Sequence, residues 1–364
     1  MKRLIVILLA AALLSAQASA SDIYERQAAS LPLNDLEQAI PAESRNLMGD
    51  ASPTDAGAFF ANARDILRRA LSYLGGYVSE GIACCAKILM IVLACSLAQS
   101  SDRKELRAGV LLAGSAAICL CFAGDYRAMA SLGAETIGSF EAFSEALLPL
   151  LCATASGAGA VGSANAIYAV SVFFFHLLTK LLRVILLPLL SVYLAVAACD
   201  AALGATTLSG MKKTLSGFLK GTLKTILFVF SAFLTVTGIT AGSVDAVSLK
   251  AAKLGISSAV PIVGGMVSDA SESVLASLAL LHNSVGAFGM LSALSIGLIP
   301  FLRVGIQYAL LQGTSALCAV TGASVLSELV RDAASVMGFL LAATGICAIF
   351  VFLSCICYLK GFVL

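Results

Sequence analysis

Charge is what this sequence has least of. Only 12% of its 364 residues are Asp, Glu, Lys or Arg, 59% are hydrophobic, and the net charge is +2. Mean hydropathy is +0.97. A soluble domain is about a quarter charged and roughly half apolar, so this composition excludes an ordinary soluble enzyme. A near-neutral balance offers no basic field for nucleic acid, and the apolar content is far too high for a disordered chain. Histidine is almost missing: His176 and His282 are the only two, and neither lies in an H-E-x-x-H sequence. G-x-S-x-G and Walker A sequences are absent, as is C-x-x-C. No catalytic residue, cofactor or metal ligand is expected on these grounds. All eleven cysteines sit in apolar stretches, so they read as small packing residues.

The charge that is present is unevenly placed. Residues 21–80 hold nine acids and five bases, a net of −4, while the 284 residues that follow hold only 28 charges. A tenth charged is the signature of a bundle of membrane helices. The fold class expected is therefore all-α, a polytopic integral membrane protein with about seven to nine transmembrane helices and amphipathic interfacial helices.

Ahead of the acidic segment, Lys2 and Arg3 precede an apolar run from Leu4 to Leu14 and an Ala18-Ser19-Ala20 site. Eleven apolar residues are too few to span a bilayer, so 1–20 reads as a secretory signal peptide that leaves 21–80 outside the cytoplasm. Pro32 and Pro41 act as breakers there, and Asn34 with Glu37 suggests a capped short helix. From Ser52-Pro53 a longer amphipathic helix is expected, with Phe60, Ala63, Leu67, Leu71, Leu74 and Val78 on its apolar face and Arg64 and Arg68 opposite.

Residues 81–364 read as the transmembrane domain, with apolar segments at 81–98, 108–124, 142–157, 160–178, 184–202, 225–242, 285–302, 303–321 and 334–359. Whether 142–157 and 160–178 count as one crossing or two stays open, because Pro149 interrupts the first. With the N-terminus outside, Arg103, Lys104 and Arg107 face the cytoplasm, and if both segments cross the lysines at 212, 213, 220 and 224 do too, followed by Arg303 and Lys360. Glu328, Arg331 and Asp332 then form a short extracytoplasmic loop. Residues 203–224 read as a basic amphipathic helix on the cytoplasmic membrane surface, either a topology signal or a docking site. Residues 243–284 are too weakly apolar to cross and read as an extracytoplasmic connecting segment. The pentapeptide Leu-Leu-Pro-Leu-Leu occurs twice, at 147–151 and 186–190, a possible trace of an internal repeat.

Four polar residues stand out within the spans. His176, Lys180 and Arg183 share one helical face, and Lys87 lies inside the first span, too far from Glu80 for an i,i+4 pair. Such residues line a solute or ion path, contact a partner, or snorkel to the interface.

The most specific feature is the stretch from Ser243 to Lys253 followed by Val260-Pro-Ile-Val-Gly-Gly-Met-Val-Ser-Asp269-Ala-Ser-Glu272-Ser-Val274. Together with Leu280-Leu-His-Asn-Ser-Val-Gly286 and the run from Phe140 to Leu151, it resembles the stage III sporulation protein AE family from about residue 55 onward. That resemblance implies a role in endospore formation, in the mother-cell membrane surrounding the forespore. It also implies membership of a multiprotein channel, or feeding tube, that sustains late forespore transcription. Its partners are then other stage III sporulation membrane proteins and the lipid bilayer, with no nucleic acid. The family brings no catalytic residues. Asp245, Lys253, Pro261, Gly264, Gly265, Asp269 and Glu272 become the expected assembly surface. The competing reading from the residues alone is a secondary transporter for a small solute, built on Lys87, His176, Lys180 and Arg183.

Overall fold

The computed structural model describes residues 24–49, 51–54, 59–99, 104–204, 208–232 and 264–360. Among these residues there is no strand, and nearly all are helical. The expected signal peptide and Asp245, Lys253 and Pro261 lie outside the described residues. A short helix α1 (residues 24–29) is followed by α2 (Leu33–Gln38), α3 (Ala42–Met48), α4 (Phe59–Ser72), α5 (Leu74–Gln99), α6 (Lys104–Gly157) and α7 (Val161–Lys180). A π-helical turn, Leu181–Leu186, leads into α8 (Leu187–Leu203). Then come α9 (Ser209–Ala232), α10 (Gly264–Val320) and α11 (Ser324–Lys360).

Six helical stretches are long and apolar enough to cross a membrane: Phe59–Gln99, Leu106–Gly157, Ala164–Leu203, Ser209–Ala232, Ser277–Val320 and Ser324–Leu359. The chain is a polytopic helical membrane protein. The nine apolar segments expected from the sequence collapse onto these six because paired segments are joined by polar sequence that stays helical. Residues 125–141 connect 108–124 to 142–157 inside α6, the π turn joins 160–178 to 184–202, and α10 runs unbroken through Arg303. Pro149 and Pro300 lie inside their helices and end neither. At 1.5 Å per residue, a straight α6 or α10 would reach roughly 80 Å, far beyond a bilayer core of about 30 Å.

Helices α10 and α11 pack along each other at the centre, with α6 against both and α5, α7 and α8 around them. Close approach of α10 to α6 depends on glycine. A Cβ built at Gly289 would stand 2.9 Å from Leu147 Cδ1 and 3.3 Å from Cys355 Sγ, and one at Gly297 would stand 3.1 Å from Phe140. Small residues at helix crossings let backbones meet where no hydrophobic force drives association. Both Leu-Leu-Pro-Leu-Leu segments bury their first and last leucines, Leu147 and Leu151 in one and Leu186 and Leu190 in the other.

The loops sort to two ends. At the first, Ser96 Oγ donates to Thr321 O (2.7 Å), and a Cβ at Gly204 would approach Leu111 at 3.1 Å, so the end of α5, the start of α6, the end of α8 and the turn at Gly322 cluster. Lys212 and Lys213, early in α9, belong to this end together with the start of α6. At the other end, Ser277 Oγ bonds Gln27 (2.6 Å), Tyr24 reaches Ser284 (3.5 Å), and Tyr358 OH donates to Ala164 O (3.4 Å). His282 is buried at this end, with Nδ1 2.9 Å from Thr154 Oγ1 and Nε2 3.3 Å from Tyr358 O. The N-terminal helices and the end of α11 therefore share one end, as six crossings require.

Several local expectations are corrected. Asn34 lies inside α2, which starts directly after Pro32 and has no side-chain cap. Helix α4 opens at Phe59, while residues 51–54 are not helical. It buries Ile66 and Ala70 and leaves Phe60, Leu67 and Leu71 exposed. Lys360 lies at the end opposite Lys212. Glu328, Arg331 and Asp332 belong to α11 and stand at the Lys212 end, because Asp332 is bonded to Lys212.

Candidate functional site

Ionisable side chains in a membrane bundle are costly unless paired or wet, so the pairs that form mark where the protein accepts that cost. The first cluster is built where α8, α9 and α11 meet. Lys212 Nζ is 2.8 Å from Asp200 Oδ2 and 2.9 Å from Asp332 Oδ2, with all three side chains at most 16% exposed. Tyr193 OH donates to the other Asp332 oxygen at 2.8 Å, and the Leu208 backbone N–H donates to Asp200 at 3.1 Å. Three helices are thus held by one lysine whose charge is met by two carboxylates.

This lock also fixes how α9 stands. Lys212 meets Asp332 at one point, and Phe230 stacks on Phe350 at another. Both intervals are 18 residues, so α9 runs beside α11 in the same direction for about 27 Å. The basic segment expected at 203–224 is therefore no helix laid flat across one end. It is a lengthwise member of the bundle that buries Leu219, Leu223 and Phe230 and exposes Met211 and Phe218.

The second cluster lies on the outside of α6 and α7. Glu141 takes Arg183 Nη1 at 3.3 Å, has His176 Nδ1 at 3.8 Å and accepts a hydrogen bond from Thr179 Oγ1 at 3.0 Å. Arg183 sits in the π turn, and its guanidinium also lies 3.5 Å from Ala134 O. π insertions recur at functional positions because they re-aim a side chain that regular helix would point elsewhere. Gly138 leaves the space that the Arg183 guanidinium occupies, since a Cβ there would overlap it. A small cavity beside the pair is lined by Glu141, Glu145, His176 and Ser144, and the buried Ser144 hydroxyl has no hydrogen-bond partner among the described residues.

A third pair, Arg303 with Glu80 at 3.3 Å, joins α10 to α5, and Arg303 stacks over Tyr77 at 5.3 Å. Counting along the helices from the contacts that fix the loop end, Glu80 and Arg303 lie roughly 25 Å in and Arg183 roughly 30 Å. The polar sequence between paired apolar segments therefore converges into one charged belt around the middle of the bundle.

Of the residues expected to matter, His176 and Arg183 are brought together on Glu141. Lys180 is exposed on the same face, and Lys87 is exposed on α5, and neither makes an ion pair among the described residues. Gly264 and Gly265 open α10, and Asp269 and Glu272 lie in its first turns. Glu141, Asp200, Asp332 and Tyr193 were missed by sequence reasoning. The signal for Asp200 was available: it is the single acid in an otherwise apolar segment, and such an acid implies a buried cation nearby. Among the described residues no group of His, Cys, Asp or Glu could hold a metal ion.

The profile of stage III sporulation protein AE matches residues 51–360, which is most of the chain and the whole bundle. The chain belongs to the stage III sporulation protein AE family. A curated relative of that name from Bacillus subtilis (strain 168) is 26% identical over 170 residues, covering 47% of this chain and 43% of the relative. The matched region thus spans less than half of that relative's length. No solved structure matches. Family membership gives the bundle a role in sporulation, exercised from a membrane. Glu80–Arg303, Glu141–Arg183 and Asp200–Lys212–Asp332 all fall inside the family match.

Proposed function

We propose that this chain is a multi-pass component of the mother cell–forespore channel complex, non-enzymatic, acting with other stage III sporulation membrane proteins in the mother-cell membrane around the forespore. The observation that carries this reading is the family match over the entire bundle. The charged belt supports it. Glu145 and Lys180 are exposed on helical stretches that cross the membrane, and such groups suit a wet wall better than a lipid-facing one. The basic end with Arg107, Lys212 and Lys213 then faces the cytoplasm. The opposite end, with α1–α3, Asp269 and Glu272, faces the intermembrane space and offers partners an assembly surface.

Deleting the gene in its sporulating host tests the role. Spore yield and late forespore transcription are expected to collapse and to return with the wild-type gene. A Glu141→Gln/Arg183→Gln chain, present at the wild-type level, is expected to restore them only in part. Normal sporulation after deletion would contradict the reading. The Glu141 cluster also favours a second one, a secondary transporter for a small solute. Under it, substitution of Lys87, His176, Lys180 and Arg183 abolishes uptake, with the sporulation defect following from the missing solute.

A further inference from the structure

Beside the Lys212 lock, α8, α9 and α11 leave an open cleft of about 400 Å³. Its lining includes Lys212, Lys213, Lys220 and Arg331, with the acids Glu328 and Asp332. The Lys212 charge is already met by Asp200 and Asp332. Lys213, Lys220 and Arg331 are exposed and make no ion pair among the described residues. Three cations thus converge on one concavity against one uncommitted carboxylate, Glu328. Ser209 and Ser216 add hydroxyl donors to the lining.

The helices that form the cleft all belong to stretches long and apolar enough to cross a membrane. Basic recesses between transmembrane helices are suited to anionic headgroups, because lysine and arginine there gain both the phosphate contact and the attraction of an acidic leaflet. We propose that this cleft holds the phosphodiester headgroup of an acidic phospholipid. The bound lipid bridges α9 to α11 and reinforces the contact that Lys212 makes beneath it.

The test uses the full chain, extracted in mild detergent, stripped of native lipid and given either phosphatidylglycerol or phosphatidylcholine. Retained lipid is counted by native mass spectrometry, and the thermal midpoint is read in parallel. Phosphatidylglycerol is expected to be retained and to raise the midpoint, while phosphatidylcholine does neither. The Lys213→Gln/Lys220→Gln/Arg331→Gln chain is expected to lose affinity by on the order of 10–100-fold, since each such cation near the surface contributes about tenfold or less. These three side chains are exposed, and an unchanged lipid-free midpoint and elution profile would establish that the variant folds. Equal retention of phosphatidylcholine overturns the proposal, as does a variant that keeps phosphatidylglycerol like the parent. Inorganic phosphate that raises the midpoint as fully as the lipid would keep the phosphate site but overturn the lipid as its source.

Discussion

Lys212→Ala is expected to destabilise the bundle by about 3–5 kcal/mol, the range for leaving a buried charge without its partner. The side chains of Lys212, Asp200 and Asp332 are 13%, 8% and 16% exposed, so water can replace little of what the ammonium supplies. Without it, two carboxylates on different helices face each other across the vacated space. Tyr193 and the Leu208 N–H still donate to them, which limits the loss without cancelling it. The thermal midpoint of the detergent-solubilised protein is expected to fall well below that of Lys213→Ala, whose side chain is exposed. Adding Asp332→Asn to Lys212→Ala is expected to recover part of the loss, because it removes one of the two repelling charges. A Lys212→Ala midpoint equal to that of Lys213→Ala would show that the three-helix lock contributes nothing.

Gly289→Val carries the second large effect, about 1–3 kcal/mol from overpacking. The first added carbon alone would stand 2.9 and 3.0 Å from the two methyl carbons of Leu147 and 3.3 Å from Cys355 Sγ. Leu147 is fully buried, so it has no open space into which to retreat. The two further methyl groups of valine would push α10 away from α6 and α11 together. Gly313 is a matched control on the same helix, because nothing lies within 4 Å of a Cβ built there. Gly313→Val is expected to leave the thermal midpoint close to wild type. A Gly289→Val chain as stable as the Gly313→Val chain would mean that α6 and α10 do not approach as described.

The all-helical, membrane-spanning class was legible in the sequence because it rests on composition and on apolar run length, which are local quantities. The number of helices was not. Residues 125–141 carry Asp125, Arg127, Glu135 and Glu141, and a polar stretch between two apolar ones reads as a loop. Nothing in that stretch prevents helix, however: it has no proline, and its glycines, Gly133 and Gly138, are isolated. Tertiary partners then decided the matter. Gly133 lies against Leu340, and Glu141 pairs with Arg183, so the polar residues are held in helical register by contacts made from other helices.

The cationic stripe His176–Lys180–Arg183 was visible as a helical face, but its partner Glu141 lies 35 residues from His176 along the chain. Pairings of that kind carry no local spacing signal. The same holds for Lys212 and Asp332, separated by 120 residues, which is why the basic segment read as a surface helix. A lone basic helix does belong on a surface, and only a buried acid elsewhere in the chain can bring it inside.

The central claim is that the belt around Glu141 and Arg183 faces water within the membrane-embedded bundle, and single-cysteine accessibility tests it most directly. Glu145→Cys and Lys180→Cys would be compared with Leu120→Cys and Val192→Cys, which are exposed on apolar parts of α6 and α8. The parent would carry Cys199→Ser, since Cys199 is the exposed native thiol. In membranes from sporulating cells, a water-soluble maleimide is expected to label positions 145 and 180 well above the parent and to leave 120 and 192 at the parent's level. Positions 145 and 180 as silent as 120 and 192 would place the belt against lipid or buried protein and contradict a wet face.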